Sequence, residues 1–120
     1  MCGLSIETNP FTFTFTDSAD NNNVLVTSKN AHFLMTDKYL QLDLQLPSQH
    51  IFGLGERQRQ FAIKEGTWTM WASDATPEYD DGTGGKSGQG VHPFALVQSK
   101  QPGVYFGIYF RNSNAQSPIV

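Results

Sequence analysis

The stretch "FTFTFT", residues 11–16, decides the fold, because apolar phenylalanines alternate with β-branched threonines along it. A period of two places every phenylalanine on one face of an extended strand and every threonine on the other. The next stretch, "DSADNNN" at 17–23, is rich in turn-forming residues, and "VLVTS" at 24–28 is again β-prone. Together the three stretches predict a β-hairpin near the start of the chain.

Similar patterns recur along the rest of the sequence. In "YLQLDLQL", residues 39–46, leucines alternate with polar residues, which is typical of a strand with one buried face. Further strands are predicted for "AHFLMT" (31–36), "TWTMW" (67–71), "FALVQS" (94–99) and "GVYFGIYF" (103–110). Many short strands without an amphipathic helix predict an all-β fold, an antiparallel β-sandwich. Because so narrow a sandwich leaves sheet edges uncovered, we expect residues 1–120 to form part of one incomplete domain.

Composition and charge exclude several classes of protein. The chain has 120 residues, a formal net charge of -3 and no cluster of lysine and arginine, which argues against nucleic acid as a partner. No apolar run approaches the roughly 20 residues that cross a bilayer, so no membrane span is predicted. Cys2 is the single cysteine, and an internal disulfide is therefore impossible. The first residues lack the basic and apolar regions of a signal peptide, and the compartment is left open.

The glycine-rich stretch "DGTGGKSGQG", residues 81–90, contains the Gly-Lys-Ser that ends a phosphate-binding loop. That motif requires a glycine where this chain has Asp80, and a helix should follow the serine. Here a carboxylate would repel the phosphate, and Gly-Gln-Gly follows Ser87. The stretch is therefore interpreted as a flexible surface loop rather than a nucleotide site.

No constellation of catalytic or metal-binding residues is recognisable. The three histidines, His32, His50 and His92, share no ligand spacing with a cysteine or carboxylate. The acidic residues that begin at Asp74 lack the glycine of a calcium-binding EF-hand loop. We therefore expect no metal, no cofactor and no catalytic residue within this chain.

A carbohydrate contact is the most specific chemistry that the residues suggest. Sugars present apolar C–H faces and hydroxyl edges, so their sites combine aromatic rings with hydrogen-bonding groups. Both kinds of residue occur in and around the long loop. The aromatic residues are Trp68, Trp71 and Tyr79, and the hydrogen-bonding residues are Asp74, Thr76 and Gln89. The alternative is that both tryptophans belong to the core and the acidic residues keep the loop soluble.

Several stretches taken together resemble the family 31 glycoside hydrolases, the α-glucosidase and α-xylosidase family. They are "KYLQLDLQLPSQHIFGLGER" (38–57), "GTWTMWASDATP" (66–77), "GVHPFALV" (90–97) and "GVYFGIYFRNSNAQ" (103–116). Gly-Leu-Gly-Glu followed at this distance by Asn-Ser-Asn-Ala is a specific combination. The order and spacing fit from about Leu4 to the end of the chain.

The resemblance implies the N-terminal, galactose mutarotase-like β-sandwich of a retaining α-glycosidase, present as a fragment. In such an enzyme a (β/α)₈ barrel, absent here, carries the catalytic carboxylates and packs against the sandwich. The resemblance also implies that a loop at about 73–90 reaches the substrate, an α-glucoside or oligosaccharide. Asp74 and Thr76 would then bind sugar hydroxyls.

Two positions depart from the family pattern and bear on specificity. Ser73 stands where an arginine often precedes the aspartate, and Gln89 stands where a tyrosine is common. The alternatives to an accessory domain are a self-contained carbohydrate-binding module and a structural sandwich without a ligand.

Overall fold

The structure, a computed structural model, describes residues 2–20, 23–57, 61–72 and 87–120. In these ranges it contains eight β-strands and no helix, and every strand pairing is antiparallel. The prediction of an antiparallel all-β fold is confirmed, and the short sheets are consistent with a β-sandwich. Among the described residues, none belongs to a helix long and apolar enough to cross a membrane. The chain forms two compact units, Met1–Pro47 and Ser48–Val120.

The first unit is built on a three-stranded sheet in the order β1-β2-β3. Its strands are β1 (Cys2–Thr8), β2 (Phe11–Asp17) and β3 (Asn23–Thr27). The stretch "FTFTFT" forms β2, and its predicted hairpin with the next strand is confirmed. Strand β1 was not predicted, and it pairs with β2 along its whole length.

One face of this sheet is apolar and partly exposed. Residues directly opposite in an antiparallel pair share a face, and Leu4 lies opposite Phe15 while Ile6 lies opposite Phe13. The Phe13 ring lies 6.3 Å from that of Phe11 and 5.8 Å from that of Phe15. Leu4 and Ile6 are each 56% exposed. We call these five residues, Leu4, Ile6, Phe11, Phe13 and Phe15, the Phe face.

The strand predicted for residues 39–46 is shorter than expected. Only β5 (Leu40–Leu42) pairs with β4 (Phe33–Met35). Beyond Asp43 the chain changes partner, because Gln45 exchanges two backbone hydrogen bonds with Thr27, of 2.8 and 3.2 Å. The alternating leucines therefore serve two different pairings, and no single strand runs through them.

The second unit contains a sheet in the order β6-β7-β8. Its strands are β6 (Ile51–Gly53), β7 (Phe94–Gln98) and β8 (Tyr105–Tyr109). The last two confirm the predicted strands, whereas β6 is a short strand that the sequence pattern did not indicate. The core of the second unit consists of residues that are at most 7% exposed, namely Ile51, Leu54, Ile63, Trp68, Met70, Ala95 and Val97.

A backbone ladder joins residues 66–70 to residues 116–120. Gly66 exchanges hydrogen bonds with Val120, Met70 exchanges them with Gln116, and the Trp68 N–H donates to the Pro118 carbonyl between them. The predicted strand "TWTMW" is thus paired through isolated bridges. This ladder holds the segment that leads into the long loop.

Candidate functional site

The described residues include both ends of the loop predicted at about 73–90, but not its middle. Residues 73–86, and with them Asp74, Thr76 and Tyr79, lie outside the described part of the chain. Their assignment to sugar binding stays a prediction. The structure describes the base of the loop, where residues 68–72 lead in and residues 87–92 lead out.

The leading end alternates buried and exposed side chains, as its sequence predicts. Trp68 is 2% exposed and Met70 is fully buried, whereas Trp71 is 60% exposed. The Trp68 indole N–H donates to the Lys64 carbonyl at 2.9 Å. Trp68 is therefore a core residue, as the alternative for the two tryptophans predicts, and its buried ring is not available to a sugar. Trp71 is exposed two positions before the predicted start of the loop.

A tight turn at residues 53–57 follows β6. Gly53, Leu54 and Gly55 have φ angles of 104°, 57° and 97°, so three consecutive residues adopt a left-handed backbone. A Cβ on residue 53 would lie 2.6 Å from the Phe94 carbonyl oxygen, a separation that only glycine avoids. The Leu54 N–H donates to that same carbonyl at 2.9 Å. The turn is thus hydrogen-bonded to the start of β7.

Arg57 connects this turn to the leading end of the loop. Its Nε–H donates to the Leu54 carbonyl at 3.1 Å, and an Nη2 hydrogen donates to the Thr69 carbonyl at 2.7 Å. The guanidinium also lies over the Trp68 ring, 5.0 Å from its centroid, which is cation–π geometry. Burial lowers the pKa of Arg57, but a guanidinium keeps its proton at any physiological pH.

The trailing end of the loop returns to the same turn. The Gly88 N–H donates to the Glu56 carbonyl at 2.9 Å. Ser87 is 5% exposed, and its Oγ has no hydrogen-bond partner among the residues that the structure describes. The His92 Nε2 lies 3.0 Å from the Gln89 carbonyl, and since a carbonyl can only accept, Nε2 carries the proton.

Arg57 was not predicted as a site residue from the sequence. The Gly-Leu-Gly-Glu-Arg stretch entered only as part of the family resemblance. The spacing of the two glycines signals a left-handed turn, but the partners of Arg57 depend on tertiary structure.

The chemistry available at this base is positioning and hydrogen bonding. In the described ranges, no group of three His, Cys, Asp or Glu side chains is placed to hold a metal ion. His32 instead pairs with Asp43, at 3.0 Å between Nδ1 and Oδ2, in the first unit. Exposed residues at the loop base include Trp71 and Gln89, together with Thr69 and His92.

Comparison with protein families gives a match along most of the chain. Residues 3–116 match the family described as the glycosyl hydrolase 31 N-terminal galactose mutarotase-like domain. This agrees with the family resemblance drawn from the sequence.

Three similar curated proteins have related names. "Probable maltase-glucoamylase 2" of Homo sapiens is 31% identical over 115 residues, which cover 93% of this chain and 4% of that protein. "Lysosomal alpha-glucosidase" of Mus musculus is 35% identical over 100 residues, covering 81% of this chain and 10% of that protein. Intestinal sucrase-isomaltase of Oryctolagus cuniculus is 26% identical over 112 residues, covering 93% and 6%. The chain thus corresponds to between 4% and 10% of these relatives' lengths.

Proposed function

Because the chain belongs to the family of glycosyl hydrolase 31 N-terminal galactose mutarotase-like domains, we propose that it serves as an accessory domain of an α-glucosidase-like enzyme of carbohydrate metabolism. In this proposal it supplies one wall of the sugar pocket and no catalytic carboxylate. The carboxylates of a retaining mechanism, a nucleophile and a general acid, belong to a barrel domain elsewhere in the full-length protein, against which this domain packs.

The observation that carries the proposal is the construction of the loop base. Both ends of the loop are held on one buried framework, and Trp71 presents an exposed indole where the loop begins. An exposed aromatic ring beside carboxylate and hydroxyl side chains is the combination that recognises a sugar. Asp74 and Thr76, three and five positions after Trp71, are in this proposal the hydrogen-bonding partners of the substrate hydroxyls.

The proposal is tested by Asp74→Ala in the full-length protein. Losing a hydrogen bond to a charged acceptor costs about 1.5–3 kcal/mol, so kcat/KM for an α-glucoside should fall roughly 10- to 150-fold. Most of the loss should appear as a higher KM. Asp37→Ala, the same change on an exposed residue of the first unit, is the control and should leave the kinetics unchanged. Wild-type KM in Asp74→Ala would rule out the sugar contact.

The proposal that this domain is accessory and that catalysis belongs to another domain has its own test. The purified 120-residue chain should not hydrolyse a chromogenic α-glucoside, and turnover that survives purification would contradict the accessory role. Trp71 also fits the alternative of an independent carbohydrate-binding module. In that case the isolated chain should bind maltose, with NMR shifts at the Trp71 and Gln89 amides.

A further inference from the structure

We propose that Arg57 is a positioning residue that fixes both ends of the substrate loop through the turn at residues 53–57. The predicted effect on substrate binding rests on the proposed function, whereas the anchoring of the loop ends rests on contacts between described residues. Three independent contacts support it, and all lie within the second unit.

The first contact holds the leading end. Arg57 donates to the Thr69 carbonyl and stacks on the Trp68 ring. Arg57 therefore contacts both the backbone and a core side chain just before the loop. Because Thr69 lies in the segment paired with residues 116–120, the leading end is held from two sides.

The second contact holds the trailing end. The Gly88 N–H donates to the carbonyl of Glu56, the residue before Arg57. Loss of the Arg57 contacts would release the backbone on which this acceptor lies. The two ends of the loop are thus coupled through adjacent residues of one turn.

The third contact lies between the two ends. A Cβ added to Gly55 would lie 3.1 Å from Met70 Cγ and 3.2 Å from Ser87 Oγ. Met70 of the leading end and Ser87 of the trailing end therefore both lie close to Gly55, and they leave little room for a side chain at residue 55. Met70 and Ser87 are both buried, so this contact excludes water from the loop base.

The shape of the guanidinium explains why arginine occupies this position. It donates to two carbonyls in different segments while its Cζ atom lies over the Trp68 ring. A lysine ammonium is a compact point charge and cannot make both hydrogen bonds and the stacking contact together. Arg57→Lys should therefore keep the positive charge but lose the coupling of the two ends.

For the enzyme, weaker anchoring of the loop should lower the affinity for the substrate. An interaction made equally with substrate and transition state appears in KM and leaves kcat unchanged. If the loop binds the substrate in this way, Arg57→Lys should raise KM for the α-glucoside by roughly fivefold, the effect of weakening one hydrogen bond. The kcat should stay within about twofold of the wild-type value.

The experiment compares Arg57→Lys with Arg111→Lys, the same substitution at an exposed arginine of the same unit. The first readout is hydrogen exchange of the full-length protein. In Arg57→Lys the Gly88 amide should exchange roughly tenfold faster or more. The Gln98 amide, which donates to the His50 carbonyl within the sheet, should keep its wild-type rate, and so should both amides in Arg111→Lys.

The second readout is a double-mutant cycle on KM with Asp74→Ala. If Arg57 acts through the loop, the effects of the two substitutions on KM should be clearly non-additive. Arg57→Lys should raise KM less when Asp74 is already absent, because the side chain that the anchored loop positions is then missing. Unchanged Gly88 exchange in Arg57→Lys overturns the anchor, even if Asp74→Ala raises KM. Faster Gly88 exchange with wild-type KM in Asp74→Ala supports the anchor and counts against the proposed sugar contact. General unfolding, with Gln98 exchanging as fast as Gly88, overturns a positioning role.

Discussion

Trp68 and Trp71 are three positions apart in the chain but occupy opposite environments. Trp68 is 2% exposed and carries the Arg57 guanidinium, while Trp71 is 60% exposed. One residue therefore maintains the fold, and the other is free to touch a ligand. Comparing the same substitution at the two positions separates these roles.

Trp68→Ala should lower the free energy of unfolding by about 3–5 kcal/mol, because it empties a large volume in the core. Trp71→Ala should change it by no more than about 0.5 kcal/mol, as expected for an exposed residue. Urea denaturation followed by circular dichroism measures both. Equal destabilisation by the two variants would contradict the division between core and surface.

Gly55 allows a second comparison at the level of single residues. A left-handed backbone costs a non-glycine residue about 1–2 kcal/mol, and this cost applies to Gly55→Ala and Gly103→Ala, with φ angles of 97° and 81°. A Cβ at Gly103 meets nothing within 4 Å, whereas one at Gly55 crowds Met70 and Ser87. Gly55→Ala should therefore destabilise the unit by about 1–3 kcal/mol more than Gly103→Ala, the usual cost of overpacking. Similar urea midpoints for the two variants would contradict this packing.

At the scale of elements, runs of β-prone residues with flanking turn residues were predicted as strands from the sequence. Strands β2, β3, β7 and β8 are of this kind, and all four are confirmed. Strand β6 is too short to show a period, and β1 offers only Leu4 and Ile6 as an apolar pattern. The break after β5 arises because Gln45 finds a partner in Thr27, which local sequence does not encode.

The loop base was predictable only in part, for a similar reason. The need for glycine at positions 53 and 55 can be inferred from the sequence, as can the alternation around Trp68. Among the described residues, Arg57 meets the Leu54 carbonyl, the Thr69 carbonyl and the Trp68 ring. These groups come together only when distant segments pack. Asp74 and Thr76 remain predictions that mutation can test.

The hairpin of β4 and β5 predicts a local pH dependence. Hydrogen bonds from Gln41, at 3.2 Å, and from His32, at 3.0 Å, lower the pKa of the Asp43 carboxyl. A carboxyl with a lowered folded-state pKa contributes stability above its unfolded pKa, and that contribution is lost as the pH falls through the folded value. Gln41→Ala should raise the Asp43 pKa toward its ordinary value and reduce the stability lost in acid.

Carbon-detected NMR titration of the Asp43 carboxyl measures this shift directly. Gln45→Ala is the control, since it removes the same side chain from a nearby position without touching Asp43. An Asp43 titration curve identical in Gln41→Ala and the wild type would show that Gln41 does not lower the pKa.

At the scale of the whole molecule, the main feature is the amount of apolar surface left in contact with water. The Phe face includes Leu4 and Ile6 at 56% exposure and Phe11 at 47%. Native domains retain only about 5–15 kcal/mol of net stability even with complete cores. The isolated chain should therefore be marginally stable and prone to self-association through this face.

This expectation is tested with a hydrophobic fluorescent dye and thermal unfolding. The isolated chain should bind the dye and lose its structure below about 65 °C, the upper end of the usual mesophile range. Changing Leu4 and Ile6 to threonine should reduce dye binding while the folded signal is kept. A clean monomer with a cooperative transition above that temperature would favour the independent binding module.

Synthesis runs from the amino terminus, so the two units acquire their backbone partners at different times. In the first unit every described strand pairs with a neighbour in the sequence, so its hairpins can close as soon as each strand has left the ribosome. In the second unit, residues 66–70 lack their ladder until residues 116–120 emerge. The proposed substrate loop, predicted at about 73–90, is thus translated in full before the backbone that supports its leading end is complete. Until then the backbone pairing that helps to bury Trp68 and Met70 cannot form, and transiently exposed apolar side chains of this kind favour aggregation.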